Sequence, residues 1–274
     1  MNRTLFVIGL MSGTSMDGID GTVLKTNGVT FTRTMVNETI QYRKETKEFL
    51  NELENEPLNL IKNIKKFKLI NKLVTEDHLY LAEKIIEKIK YKPDLIGFHG
   101  QTIYHSSKKR ISIQIGDAQL LANNVKIEVA GSFRKNDLKY KGQGAPLSPI
   151  YHQALAKDLN LVPPVCFINI GGVANITYYD ENILIGFDTG PGNGLMDRFM
   201  QEKLSRKYDK NGEIASLGNI NKNILKKFEN HKFFTKKFPK SLDKLSFNHF
   251  LTEILYLNMS SADILATLAE LTAS

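Results

Sequence analysis

The chain has 274 residues, 42% of them hydrophobic, which is enough to bury one large core or two modest ones, and two domains are expected. No apolar run reaches about eighteen residues, and the opening MNRTLFVIGL passes into polar, glycine-rich sequence without a cleavage-like site, so neither a membrane span nor export is expected and the protein is placed in the cytoplasm. The net charge of +8 comes from 37 basic residues, of which seven are arginine. The lysines spread along amphipathic patterns such as KKFKLINK, which reads as solvated helix faces and excludes a nucleic-acid-binding patch.

In chain order, apolar strands are expected at residues 5–10, 21–25 and 29–36, followed by helical segments. The clearest helix is expected to start at Thr75 as N-cap, with Glu76 and Asp77 in its first turn and Leu79, Ala82, Ile86 and Ile89 on one face. Further strands follow at 94–98, 111–116 and 126–131. The charged stretch SFRKNDLKYKGQGAP then suits a crossover or an active-site loop, which places a domain boundary near Gly131 and divides the chain into 1–130 and 131–274. The second half opens its own strand set at 165–172, 174–179 and 183–190, and from residue 192 onward reads as helix or loop. Strands punctuated by helices give an α/β fold, and each half begins with an apolar strand, a glycine turn and a second strand. No later strand completes the second sheet, so the second domain is expected to be incomplete, with an unfinished edge and exposed apolar surface. Cys166 is the only cysteine, which excludes an intramolecular disulfide. Inside VCFINI it reads as a small buried hydrophobe.

Three segments carry chemistry. In GLMSGTSMDGID, residues 9 to 20, a strand runs into Ser12, Gly13, Thr14 and Ser15 before a second strand begins. Small residues there let N–H groups and hydroxyls approach phosphate oxygens, and Asp17 or Asp20 can orient a Mg²⁺ ion. A plain hairpin with Asp-Gly at its tip fits the same residues. In FINIGGVANIT, Gly171 and Gly172 interrupt two strands in the same way, and two such hairpins, one per half, suggest a nucleotide held in a cleft between domains; a bulge serving sheet curvature is the alternative. In GFDTGPGNGLMDRF, Asp188 ends a buried strand and a glycine-rich turn leads into a helix. That arrangement fits a general base beside a helix N-terminus that favours negative charge, or an N-cap aspartate.

A fourth, more dispersed set fits a neutral sugar, which needs amide, hydroxyl and guanidinium partners on rigid elements. FHGQTIYH, the Phe133-Arg134 pair and GQGAPLSP supply Gln101, Thr102, Arg134, Gln143 and Gly144. His99 and His105 have no carboxylate or cysteine at ligand spacing, so no zinc site is expected, and the absence of a G-x-S-x-G elbow argues against acyl transfer.

Taken together, GLMSGTSMDGID, FHGQT, FR with GQGAPLSP, INIGGVANIT and FDTGPGN stand in the order and approximate spacing of the anhydro-N-acetylmuramic acid kinases, and the chain resembles that family over residues 5 to 200. The resemblance implies two ribonuclease-H-like domains of the sugar kinase, Hsp70 and actin superfamily. It implies an ATP- and Mg²⁺-dependent kinase that hydrolytically opens 1,6-anhydro-N-acetylmuramic acid and phosphorylates O6 in peptidoglycan recycling.

Carried onto this sequence, Gly13, Thr14, Ser15, Met16, Asp17, Gly18, Ile19 and Asp20 form the phosphate loop, Gly171 and Gly172 the second phosphate hairpin, and Asp188 the base. Gln101, Thr102, Arg134, Gln143 and Gly144 hold the sugar. A homodimer is left open. Two departures stand out: Ser132 replaces the family's usual aspartate before Phe-Arg, and KSLDKLSFN lacks the Gly-Arg that normally precedes its Phe. Relatives also continue into further strands and an adenosine-cradling loop, so a non-catalytic remnant is the competing expectation.

Overall fold

A computed structural model of the chain describes residues 3–13, 16, 18–55, 63–242 and 247–274. The chain divides into two compact units, Met1–Gly144 and Ala145–Ser274, and Gly131, the expected boundary, falls inside the first.

The first unit is built on a five-stranded mixed sheet of order β3-β2-β1-β4-β7. Strands β1 (Leu5–Met11), β2 (Gly18–Thr26) and β3 (Phe31–Gln41) pair antiparallel as a meander. Strands β4 (Leu95–Phe98) and β7 (Glu128–Gly131) add in parallel beside β1. A separate hairpin, β5 (Gln101–Ser106) with β6 (Ile111–Ile115), follows β4 directly. Helices α1 (Lys44–Asn55) and α2 (Ile64–Lys88) belong to this unit, as do α3 (Ala118–Val125) and α4 (Phe133–Lys139).

Helix α2 is capped twelve residues earlier than expected: Asn63, not Thr75, is the N-cap, its side chain accepting from the Lys66 N–H at 3.0 Å. Thr75 sits mid-helix, donating its hydroxyl to the Asn71 carbonyl at 2.6 Å and accepting the Asp117 N–H at 2.8 Å. The buried stripe Ile70, Val74, Leu81, Ala82 and Ile85 recurs at helical spacing and packs with Ile8, Leu10, Ile19, Val23 and Ile96 of the sheet. Gly21 is required by this contact, because a Cβ there would lie 2.4 Å from the Ile85 Cδ1.

The second unit carries an antiparallel three-stranded sheet of order β10-β9-β8, from β8 (Val165–Ile170), β9 (Val173–Asp180) and β10 (Ile183–Pro191). Its helices are α5 (Pro149–Asp158), α6 (Gly194–Leu204), α7 (Lys222–Glu229), α8 (Asn248–Leu255) and α9 (Ser261–Ala273). A core of Leu195, Phe199, Phe228, Phe250, Ile264 and Leu268 joins the last four of them, with Phe228 edge-on to Phe250 at 4.5 Å. Strand β8 is an edge, and its Ile168 and Ile170 are 69% and 53% exposed. Cys166 is exposed as well, against the expectation of burial, because an apolar run on an edge strand has one partner strand and uncovered faces. Among the described residues no helix is long and apolar enough to cross a membrane.

Candidate active site

In the first unit, β1 and β2 run in register from Leu5 opposite Thr26 to Met11 opposite Asp20, so the glycine-rich segment lies in the turn they close. Gly18 lies where a Cβ would meet the Ile40 carbonyl oxygen at 2.3 Å. The Gly13 carbonyl accepts the Met16 N–H at 3.3 Å. Met16 and Ile19 turn their side chains into the hydrophobic core, 5% and 0% exposed, which leaves only their backbone for a ligand. Asp20 is exposed, and its carboxylate accepts the Thr39 hydroxyl at 2.6 Å. It lies on a cavity of about 390 Å³ that Gly9, Thr22, Asn37 and Phe133 also line. Thr14, Ser15 and Asp17 lie outside the described residues.

The segment between β4 and β5 reaches two of the expected site regions. Gln101 is wholly buried, and its side-chain amide donates to the Gly13 carbonyl at 2.9 Å and to the Thr102 carbonyl at 3.2 Å, while Oε1 accepts the Tyr42 hydroxyl at 3.2 Å. The amide expected to meet the sugar is thus engaged within the unit, where it pins the turn that carries Gly13. Ser12 donates its hydroxyl to the Gly100 carbonyl at 3.0 Å. Gly100 has φ +70°, and a Cβ there would come within 2.5 Å of the Ile115 carbonyl oxygen. Thr102 is half-buried and accepts from the Gln114 amide at 3.2 Å.

His99 Nδ1 lies 2.7 Å from the Gly100 carbonyl, which only accepts, so that nitrogen carries the proton. Nε2 is therefore bare and accepts the Arg134 Nε–H at 3.0 Å. Burial, reinforced by the Arg134 charge, pushes the His99 pKa down to about 4, which keeps the ring neutral in this role. Arg134 also donates from Nη1 to the Gly144 carbonyl at 2.6 Å, and Asp137, one turn along α4, accepts the Gly144 N–H at 2.6 Å. Gly142 is required beside it, since a Cβ would sit 2.1 Å from the Asp137 Oδ2. Arg134 and Gly144 are thus brought together, and the half-buried Gln143 rides on the same loop.

In the second unit, Asp188 is 7% exposed and lies in β10 just before the register shift that separates it from Gly190. Its N–H donates to the Lys240 carbonyl at 2.9 Å, and its Oδ2 accepts the Leu242 N–H at 2.7 Å. The turn between β8 and β9 packs onto the start of α6: the Gly172 carbonyl accepts the N–H groups of Gly192 and Gly194 at 3.2 Å each, and the Gly171 carbonyl accepts that of Asn193 at 2.7 Å. These three N–H groups, at the start of the helix expected to favour negative charge, are engaged within the unit. Thr272 of α9 clamps the turn between β10 and α6, its hydroxyl placed 3.1 Å from both the Pro191 and the Gly192 carbonyls.

Comparison with known proteins bears on this geometry. The sequence model of the family described as "Anhydro-N-acetylmuramic acid kinase" matches residues 5–274. The chain belongs to that family. Proteins named anhydro-N-acetylmuramic acid kinase from Azorhizobium caulinodans and Rhodopseudomonas palustris are each 38% identical to it, over 97% of this chain and 74% and 73% of theirs. One from Rhodospirillum rubrum is 37% identical over 98% of this chain and 70% of its own. Among solved structures, an exopolyphosphatase-like protein aligns over 78% of this chain and 59% of that one, with 9% identity and a TM-score of 0.41, too low to carry an argument.

In this member of the anhydro-N-acetylmuramic acid kinase family, four groups that the sequence did not point to stand beside the expected ones: Tyr42, His99, Asp137 and the Leu242 N–H. Asp137 follows Arg134 by three residues on α4, a spacing that places both on one helix face and was open to sequence reasoning. The other three act on partners remote in sequence and left no local signal.

Proposed function

We propose that this chain is an ATP-dependent kinase of 1,6-anhydro-N-acetylmuramic acid, acting in the cytoplasm in peptidoglycan recycling, and that both its units are ribonuclease-H-like domains of the sugar kinase, Hsp70 and actin superfamily. The strand order β3-β2-β1-β4-β7, an antiparallel meander extended by two parallel strands, supports that fold for the first unit, and β8-β9-β10 repeats the antiparallel trio in the second. The names of the relatives support the substrate. The family match spans both Gly13–Asp20 and Asp188, which gives no support to a non-catalytic remnant.

The observation that carries the reading is the buried Asp188 carboxylate, fixed by the Leu242 N–H at the end of β10. In the proposed reaction Asp188 takes a proton from water as the water oxygen bonds to the anomeric carbon and the C1–O6 bond breaks. The freed O6 attacks the γ-phosphorus of ATP, and the bond from that phosphorus to the β,γ-bridging oxygen breaks, giving N-acetylmuramate 6-phosphate and ADP. Gly13 to Asp20 and the Gly171–Gly172 turn are assigned to the phosphates. Arg134, with Thr102, Gln143 and Gly144, is assigned to the sugar.

A Mg²⁺ ion bound with the nucleotide would supply positive charge beside the transferring phosphoryl group. The exposed Asp20, oriented by Thr39, fits that ion either directly or through water. Among the described residues no group of three or more Asp, Glu, His or Cys side chains is placed to hold a metal ion.

Coupled measurement of ADP release tests the reading. Release is expected only when the anhydro sugar is present, and Asp188→Asn is expected to lower it by ~10²- to 10⁴-fold. ADP release that ignored the sugar, or that survived in Asp188→Asn, would overturn it.

A further inference from the structure

The sugar and the nucleotide are two substrates, and the residues assigned to them in the first unit, Arg134 and the Gly13 turn, are each held by one residue of the same short segment. We propose that His99-Gly100-Gln101 is a positioning element in which His99 sets the sugar-binding Arg134 and Gln101 sets the phosphate turn, each independently of the other. This rests on the roles proposed above for Arg134 and for the Gly13 turn.

The geometry separates the two tasks. His99 faces Arg134 with an acceptor nitrogen, because its other nitrogen is committed to the Gly100 carbonyl. With Nε held by the imidazole and Nη1 by the Gly144 carbonyl, the guanidinium plane is fixed at two points. Holding a flexible side chain in its working geometry before the sugar arrives removes part of the ordering cost of binding. Replacing the imidazole by an apolar side chain removes the anchor on Nε and loosens the guanidinium, and the deficit falls on sugar affinity.

Gln101 faces the opposite way. Its amide holds the Gly13 carbonyl, and because the Gly13 and Thr102 carbonyls only accept, that end carries the N–H groups and Oε1 faces the Tyr42 hydroxyl. The Gly13 carbonyl also accepts from the Met16 N–H, so this one carbonyl ties Gln101 to both Gly13 and Met16. Between the two tasks lies Gly100, whose carbonyl takes hydrogen bonds from both His99 and Ser12. The left-handed backbone at Gly100 turns the segment so that successive side chains serve different partners.

The test is the Michaelis constant for each substrate, measured with the other saturating, in His99→Leu, His99→Gln, Gln101→Leu and Tyr42→Phe. Loss of a hydrogen bond to the charged Arg134 is expected to raise the sugar KM about tenfold in His99→Leu while leaving the ATP KM within about twofold. His99→Gln keeps an acceptor at the reach of Nε2 and is expected to recover most of that loss. Gln101→Leu shows the reverse pattern, an ATP KM raised about tenfold with the sugar KM little changed. Tyr42→Phe, which keeps its ring in the core, shifts the ATP KM the same way by about threefold.

A merely structural segment would move both constants together or lower only kcat, and either result, in variants whose melting temperature shows them folded, overturns the proposal. Two further variants separate this failure from failure of the assigned roles. Arg134→Ala must raise the sugar KM and Gly18→Ala the ATP KM. If either leaves its constant unmoved, the role assigned to that region is wrong; if both respond while the His99 and Gln101 variants do not, the positioning inference alone is wrong.

Discussion

The Leu242 N–H donates to Asp188 Oδ2 at 2.7 Å, and two residues earlier the Lys240 carbonyl accepts the Asp188 N–H at 2.9 Å. The segment that departs from the family pattern before its Phe is therefore the one that brackets the proposed base. Lys240 is itself anchored, its ammonium donating to the Phe233 carbonyl at 3.2 Å and lying 4.5 Å from the centre of the Phe233 ring. Burial, with the nearby Lys236 charge, lowers its pKa.

This bracket separates the chemical from the structural role of Asp188. Asn at 188 keeps an oxygen to accept the Leu242 N–H, so Asp188→Asn is expected to melt close to wild type while losing activity. Asp188→Ala leaves that buried N–H without its partner and is expected to cost a further ~1–3 kcal/mol of stability. Urea unfolding of the two variants side by side checks this, and equal stability would mean that the Leu242 bond contributes nothing.

The turn after Asp188 predicts a second contrast. A Cβ on Gly192 would lie 2.1 Å from the Gly171 carbonyl oxygen, a backbone atom that cannot yield without moving the whole hairpin. Gly192→Ala is expected to destabilise the protein by ~1–3 kcal/mol and to weaken ATP binding, because Gly171 and Gly172 move with it. Gly212→Ala is the comparison: at φ +67° with open space around it, it carries backbone strain of ~1–2 kcal/mol and should leave ATP affinity unchanged. Calorimetric titration with Mg-ATP distinguishes them.

How much of this was open to the sequence follows from where each signal is stored. Strands β1, β4, β6 and β10 were legible because their apolar residues are local, and Asp188 because a carboxylate ending such a strand is itself a local pattern. Gln101 was read as a sugar contact because a glutamine beside glycine in a polar run offers an amide. The Gly13 carbonyl that its amide also holds is 88 residues away and becomes a neighbour only when β4 pairs with β1. Cys166 went wrong for the same reason: VCFINI has the hydrophobicity of a central strand, and only the strand order makes it an edge. Thr75 has cap chemistry, but the apolar stripe continues a further two turns or more toward Asn63, and packing of that stripe overrides a local start signal.

Two buried histidines give the first unit a directional response to acid. Burial pushes both His78 and His99 down to about 4, with the ordinary value for histidine at 6.5. The unfolded chain therefore binds more protons than the folded one between those values, and stability falls as pH drops through this window. Above about pH 6.5 the contribution is fully present; near pH 4 it is lost, at up to ~3 kcal/mol for each ring. Urea midpoints measured from pH 7.5 to 4.5 should decline. His78→Phe, which keeps a ring against Phe98 but does not titrate, should flatten the decline; an unchanged slope in that variant would remove His78 from the account.

Gly144 offers the most direct handle on the arm that carries Arg134. It is buried at φ +69°, its N–H held by Asp137 and its carbonyl by Arg134, and a Cβ there would meet the Leu138 Cγ at 2.8 Å. Alanine is opposed both by the left-handed backbone and by a core leucine that is 3% exposed and has no space to retreat into. The loop must therefore swing away from α4, and in doing so it breaks both hydrogen bonds together. Gly144→Ala is expected to raise the sugar KM by about tenfold or more, since Arg134 loses its hold on the Gly144 carbonyl. The ATP KM should stay near wild type, because the Gly13 turn is held through Gln101 and Tyr42 rather than through this loop. Asp137→Asn makes the complementary change, since an amide oxygen still accepts the Gly144 N–H, and it should have a much smaller effect. If Gly144→Ala binds sugar as well as wild type while Asp137→Asn does not, the loop is not what holds the guanidinium, and the charge of Asp137 is.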